Sequence, residues 1–140
     1  NGGTMLVQYN VSRGLVVDQV APLTLELSRD RVTDEFSPIE ILFPDHAVMN
    51  YPNRLSLADF DGWVQERGLY FPNNWDKAFQ PLLRMNDLNE TPTDGSILIA
   101  PFGKGHFIYT GLSFFRQFPE SVPGAYRFFV NLISIGKFEK

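Results

Sequence analysis

The two clearest strand patterns in this sequence lie on either side of a short segment that contains glycine. Residues 96–101 and 106–112 are mostly apolar and rich in β-branched and aromatic side chains, and Gly103-Lys104-Gly105 lies between them. Two such runs joined by a few residues with glycine are typical of a β-hairpin. The sequence therefore predicts an antiparallel hairpin, and the other elements are expected to pack around a sheet that contains it.

A long helix is predicted after the hairpin. Ser121 can cap it, Pro123 lies near its first turn, and Gly136 closes it. Apolar residues recur inside it at helical spacing: Tyr126, Phe129, Val130 and Ile133. A shorter helix is predicted to begin at Ser56, with Asp59 as its capping partner.

Shorter strand patterns precede the hairpin. Residues 29–31, Arg-Asp-Arg, are interpreted as a charged turn between two of them. The predicted strands are residues 4–9, 23–27, 39–43, 69–71 and 80–85. Strands followed by one long helix indicate a single α/β domain over residues 1–140, with an antiparallel edge.

Composition excludes several classes of protein. The net charge is −4, with 16 acidic and 12 scattered basic residues, which argues against a nucleic-acid surface. No apolar run is long enough to span a membrane. Cysteine is absent, which excludes disulfides, thiolate metal sites and cysteine nucleophiles. The compartment stays open, because bacterial proteins exported to the periplasm or the exterior often lack cysteine too.

Reactive side chains are few. His46 and His106 are the two histidines, and neither has a second metal ligand at suitable spacing on its own element. Both are expected to cap turns or to bond the backbone. No hydroxyl follows Lys104, so its segment is a hairpin turn and not a phosphate loop. Ser113 lacks the small neighbours that a serine nucleophile needs.

The acidic side chains and the aromatic side chains of the sequence each have a functional and a structural interpretation. The cluster of Asp59, Asp61 and Glu66, or the pair of Asp34 and Glu35, would supply paired catalytic carboxylates. Helix capping by Asp59 and structural ion pairs of Glu66 and Arg67 are favoured instead. The aromatic residues of the stretch 63–75 either cover the sheet edge as core or form an exposed binding surface. They are Trp63, Tyr70, Phe71 and Trp75.

Several stretches taken together resemble the C-terminal region of large bacterial proteins of the PIG-L/LmbE deacetylase family. That region is similar to the class I glutamine amidotransferase-like (flavodoxin-like) fold, including its ThuA-type branch. The resemblance covers nearly the whole chain and is specific as a set. It is carried by Gly2-Gly3-Thr4-Met5-Leu6-Val7-Gln8-Tyr9-Asn10, Pro44-Asp45-His46, Asn50-Tyr51-Pro52-Asn53, the run of residues 59–71, and that of residues 103–112.

The resemblance implies a parent protein that removes acetyl groups from N-acetylglucosamine-type sugars with zinc. In that family the zinc chemistry belongs to a separate N-terminal domain with a His-Pro-Asp-Asp motif, which this chain lacks. The amidotransferase chemistry needs a cysteine and a late His-x-Glu, whereas Phe107 and Ile108 follow His106. No catalytic or metal-binding residue is carried over, and no cofactor is expected in this chain.

The expected function is therefore a non-catalytic accessory domain used for packing, oligomer contact or substrate presentation. The candidate binding residues are His46, Trp63, Arg67, Trp75 and His106. One alternative is a carbohydrate-binding or sugar-processing module with exposed Trp63, Tyr70 and Trp75. A second alternative is a hydrolase whose site combines distant histidines and carboxylates.

The expected partner is the remainder of the parent protein. Asn1-Gly2-Gly3 is typical of the end of a helix, so we expect a partial domain that begins midway through a larger fold. Such a domain exposes a sheet edge, which predicts self-association into a homo-oligomer. Carbohydrate remains a further candidate partner under the first alternative.

Overall fold

The computed structural model describes residues 2–17 and 19–137. Its strands are β1 (Thr4–Gln8), β2 (Leu25–Val32), β3 (Ile39–Ile41), β4 (Gly68–Trp75), β5 (Gln80–Pro81), β6 (Leu83–Met85), β7 (Ile97–Phe102) and β8 (Gly105–Thr110). Its helices are α1 (Ala47–Asn50), α2 (Phe114–Gln117) and α3 (Pro123–Ser134), with a 3-10 helix at Leu57–Phe60. The described part excludes Asn1, Asp18 and residues 138–140. The expectation that Asn1 belongs to the end of a helix therefore lies outside the described residues.

A mixed four-stranded sheet forms the centre of the fold, in the order β1-β8-β7-β5. β1 runs parallel to β8, whereas β8 and β7 form the antiparallel hairpin that the sequence predicts. Gly103 adopts a φ of 59° in the turn, a conformation that favours glycine. β5 pairs with the other side of β7 and runs antiparallel to it. The predicted α/β class is confirmed at this level.

Two smaller antiparallel pairs, β2 with β4 and β3 with β6, surround the central sheet. The expected charged turn at residues 29–31 is wrong, because these residues continue β2 alongside β4. The single strand predicted for residues 80–85 is divided, because its first part pairs with β7 and its second part pairs with β3. Leu82, between the two parts, is fully buried.

The central sheet has a hydrophobic core on each face, because side chains alternate along a strand. Ile108 of β8 faces the core that α3 covers with Phe128 and Leu132. The next residue, Tyr109, faces the other core, which contains Phe79 and the segment before β2. Within the described residues, no helix is long and apolar enough to cross a membrane.

The long helix α3 is present, but two details differ from the sequence prediction. Ser121 has a φ of 56° and does not cap the helix, which begins after Val122. The buried face carries Ala125, Phe128 and Leu132. Most of the residues that predicted the helix are exposed instead, namely Tyr126, Val130 and Ile133, whereas Phe129 is half-buried.

The segment between β3 and β4 holds two short helical turns. The turn predicted at Ser56 is a 3-10 helix, and the Ser56 N–H donates to Asp59 Oδ2 at 2.8 Å. This bond confirms the capping role of Asp59. α1 was not predicted, and neither was α2 after β8, because four-residue helices have too little periodicity to be recognised.

Candidate functional site

Both histidines line one small cleft, although 60 residues separate them in the sequence. His46 immediately precedes α1 and His106 is the second residue of β8. The cleft has a volume of about 240 Å³. Its other walls are Ala47, Ala78, Gln80, Ile99, Pro101, Ile135 and Gly136. No carboxylate stands among these described lining residues.

The imidazole of His46 caps the N-terminus of α1. Its Nδ1 accepts a hydrogen bond from the Val48 N–H at 3.1 Å, so it caps the helix as expected. A neutral imidazole that accepts at Nδ1 carries its proton at Nε2. Nε2 is then a hydrogen-bond donor, which makes it unsuitable as a general base or as a metal ligand.

The pKa of His46 is lowered by burial first, and by the nearby charge of His106 second. A histidine with a lowered folded-state pKa binds protons more readily in the unfolded chain. Its contribution to stability is complete above the unfolded value of about 6.5 and is lost as the pH falls from there toward the folded value.

We therefore expect the free energy of unfolding to fall between about pH 7.5 and about pH 5.5. His46→Asn should flatten this decrease, because asparagine caps a helix without titrating. Urea unfolding across this pH range is the measurement. His106→Asn is the control and should retain the part of the decrease that comes from burial of His46. An unchanged pH dependence in His46→Asn would contradict the assignment.

The His106 ring does not bond the backbone as expected. The backbone N–H of His106 donates to Gly3 O at 2.9 Å, whereas its imidazole lines the cleft and makes none of the side-chain hydrogen bonds found among the described residues. Across the described part of the chain, no three His, Asp or Glu side chains come close enough to hold a metal ion. Among the described residues that line this cleft, the polar side chains are the two imidazoles and the Gln80 amide.

Trp63 and Arg67 lie in the core. Trp63 is 2% exposed, and its indole N–H donates to Asp59 O at 3.1 Å, so the alternative of an exposed Trp63 is wrong. Arg67 donates to Phe60 O at 2.7 Å and to Ser37 O at 3.1 Å. Burial lowers the pKa of Arg67. The nearby charges of Asp34, Asp61 and Glu35 act in the opposite direction and offset only part of this effect.

Glu66 forms the ion pair that the sequence predicts, but its partner is Arg116 and not a neighbour in sequence. Arg116 Nε lies 2.8 Å from Glu66 Oε1, and the Tyr9 hydroxyl donates to the same oxygen at 2.7 Å. Burial first, and then the bond to Glu66, raise the pKa of Tyr9. Ser113 is fully buried and its hydroxyl donates to Glu66 O, which agrees with its exclusion as a nucleophile.

Trp75 is half-buried in a polar groove of about 460 Å³ between β2, β4 and residues 90–94. Asn73, Asp30 and Glu90 contribute side chains to this groove. Tyr70 is half-buried in a different pocket. The aromatic residues proposed as one sugar-binding surface are therefore divided between the core and two adjoining depressions, which share Arg29 and Arg31 in their walls.

A further depression, which we call the β1 cleft, has a volume of about 680 Å³. It lies between the start of β1, residues 19–22 and the β7–β8 hairpin, and Met5, Phe102 and Phe107 line it. Met5 and Phe102 are 61% and 52% exposed. Beside the β1 cleft, β1 forms the edge of the sheet and pairs only with β8 among the described residues.

The sequence analysis missed a pocket that Arg13, Arg29 and Arg31 line. The spacing of Arg29 and Arg31 could have indicated this pocket, since residues two positions apart on a strand lie on the same face of the sheet. The interpretation of residues 29–31 as a turn concealed it.

Comparison with protein-family models, with curated proteins and with solved structures finds no match to this chain.

Proposed function

We propose that this chain is a non-catalytic accessory domain of a bacterial sugar deacetylase of the PIG-L/LmbE type. The fold would be a partial flavodoxin-like (glutamine amidotransferase-like) domain, completed by the rest of the parent protein. The observation that carries the proposal is the outer edge of β1, which pairs with no other described strand and lies next to the β1 cleft. The motifs of the resemblance support the identity of the parent protein.

The parallel pairing of β1 supports a further neighbour on its outer edge. Parallel strands occur almost only in sheets whose faces are covered, and an uncovered edge strand invites pairing. Met5 projects from this edge strand and is 61% exposed. We infer that the adjoining part of the parent protein adds a strand beside β1 and buries Met5 in the β1 cleft.

The surroundings of the histidines support a role without catalysis. His46 caps α1 through Nδ1, so its free nitrogen carries a proton. The wall of that cleft is mainly aliphatic, with Gln80 as its uncharged polar member. A general base needs an unprotonated nitrogen that faces the substrate, and a metal ligand needs a free lone pair.

The docking role predicts that this chain and the deacetylase region of its parent associate when they are produced as separate polypeptides. Met5→Asp should weaken the association by at least about tenfold, because it places a charge in an apolar contact. Leu88→Asp is the matched control, since Leu88 is 84% exposed and lies outside the β1 cleft. Calorimetric titration measures both. Equal affinity of the Met5 variant and the unchanged chain would refute docking at β1.

The non-catalytic role has its own test. The purified chain is expected to release no acetate from N-acetylglucosamine with or without zinc. Acetate release that disappears in His46→Asn or His106→Asn would favour the hydrolase alternative. If the chain docks but also releases acetate, the proposed contact at β1 stands and only the non-catalytic assignment is refuted.

A carbohydrate-binding module remains a second candidate because of the groove at Trp75. An aromatic ring beside polar side chains suits a sugar, whose faces are apolar and whose rim is polar. Trp63 is buried, so a change of tryptophan emission on sugar addition would report mainly on Trp75. Emission that responds to neutral sugars, and no longer does so in Trp75→Ala, would support this candidate.

A further inference from the structure

A cationic pocket of about 510 Å³ lies at one end of the central sheet. Arg13, Arg29 and Arg31 line it, and Leu69 and Tyr70 contribute an apolar wall. The chain as a whole has a net charge of −4, so the pocket differs in sign from the molecule that carries it. No carboxylate belongs to the described wall of this cationic pocket.

The position of the cationic pocket follows from the topology. β1 ends at Gln8, and Arg13 lies in the segment that follows it. The Leu69 N–H donates to Gly111 O at 3.1 Å, directly after the end of β8. The pocket therefore lies where the carboxyl ends of the two parallel strands meet. In α/β sheets this is the end at which ligands bind.

The three guanidinium groups lack strong partners of their own. Among the described residues, Arg13 and Arg29 form no ion pair, and Arg31 approaches Glu90 only to 3.5 Å with both side chains about half exposed. Exposed pairs of this kind contribute little to stability. Arg29 and Arg31 also line the adjoining groove, where Asp30 and Glu90 offset part of their charge. The like charges that remain around the cationic pocket repel each other, so an anion would lower its electrostatic energy.

The backbone next to the cationic pocket is also unusual. Tyr70 has a φ of 57° and Tyr9 has a φ of 46°, and both are residues that rarely adopt the left-handed region. Their rings meet edge to face with centroids 6.0 Å apart. Such strained positions are concentrated at ligand sites. Tyr70 itself lines the cationic pocket.

We propose that the cationic pocket binds a small organic anion. Its carboxylate or phosphate group pairs with the arginines, and its carbon skeleton rests against Tyr70 and Leu69. Guanidinium groups suit both anions because their planar donors match two oxygens at once. This proposal goes beyond the accessory role and does not depend on the identity of the parent protein.

Calorimetric titration of the chain with glucuronate, glucose 6-phosphate and neutral glucose tests the proposal. We expect saturable binding of at least one of the two anions and at least about tenfold weaker binding of glucose. Preference for glucuronate would identify a carboxylate ligand, whereas preference for glucose 6-phosphate would identify a phosphate ligand. Absence of saturable binding by both anions at low salt would overturn the proposal.

Three single substitutions distinguish binding of the anion at the cationic pocket from nonspecific attraction to positive charge elsewhere on the chain. Arg13→Gln and Arg29→Gln should each weaken binding of the anion by about tenfold, because each removes a charge-assisted contact. Arg54→Gln is the matched control. It removes the same charge from an exposed residue that lies outside the cationic pocket. Thermal unfolding verifies that each variant is folded. Equal weakening by all three substitutions would overturn the assignment to this pocket.

Discussion

Gly124→Ala is expected to lower the free energy of unfolding by about 3 kcal/mol, although alanine favours helices more than glycine does. Gly124 is buried in the first turn of α3, which begins at Pro123. A Cβ atom at this position would lie 1.8 Å from Asp59 O and 2.5 Å from Asp59 Cα. Such distances are far inside van der Waals contact, so α3 or the 3-10 helix would have to move.

The 3-10 helix is not free to move away from the new Cβ atom. Asp59 O accepts the hydrogen bond from the Trp63 indole, and Asp59 Oδ2 accepts from the Ser56 N–H. Asp59 Oδ1 also lies 2.7 Å from Arg127 Nε on α3. A shift that relieves the contact would lengthen several of these bonds together, so overpacking at Gly124 has a large cost.

Urea unfolding of Gly124→Ala measures this effect, with Val130→Ala as control. Val130 lies on the same helix and is 40% exposed, so its truncation is expected to change stability by less than about 1 kcal/mol. A Gly124→Ala variant as stable as the unchanged chain would mean that α3 can withdraw from Asp59 without loss of packing.

The sequence predicted those parts of the fold that local patterns determine. The hairpin of β7 and β8 and the strand β1 have continuous apolar runs, and α3 has both a periodic pattern and Pro123 at its start. The long pair of β2 and β4 was only partly predicted, because its register shifts interrupt the alternation of apolar and polar residues. The parallel contact of β1 with β8 joins opposite ends of the chain and leaves no local signal.

The candidate sites depended more strongly on distant contacts. Nothing near His46 in the sequence indicates that His106 shares its cleft. Asp87 shows the same limit, since it lies outside every predicted strand and helix, yet its carboxylate accepts hydrogen bonds from Thr33, from the Asp34 N–H and from Ser37. Burial alone would raise the pKa of Asp87, but these bonds together lower it. Side chains that satisfy distant backbone groups are visible only after folding.

Asn131→Leu is expected to lower the free energy of unfolding by about 4 kcal/mol, because it leaves several buried polar groups unpaired. Asn131 lies on α3 and is fully buried. Its Nδ2 donates to Val48 O at 2.7 Å and to Asn53 O at 2.6 Å. Its Oδ1 accepts from Asn53 N at 3.0 Å and from Asn53 Nδ2 at 3.1 Å. One amide thus joins α3 to both sides of the turn that follows α1.

Asn131→Asp distinguishes loss of the donor from loss of packing, since aspartate has the same shape. At neutral pH its second oxygen would face the carbonyl oxygens of Val48 and Asn53, which raises the pKa of the new carboxyl group. A raised folded-state pKa means that stability is greatest below the unfolded value of about 3.9 and is lost as the pH rises from there through the higher folded value. At acid pH, the free energy of unfolding of Asn131→Asp should therefore lie closer to that of the unchanged chain than it does at neutral pH. For Asn131→Leu the difference in the free energy of unfolding should be the same at both pH values.

Urea unfolding at acid and neutral pH measures both variants. Equal differences at the two pH values would mean that the carbonyl oxygens find other donors, and that Asn131 acts mainly through its packing.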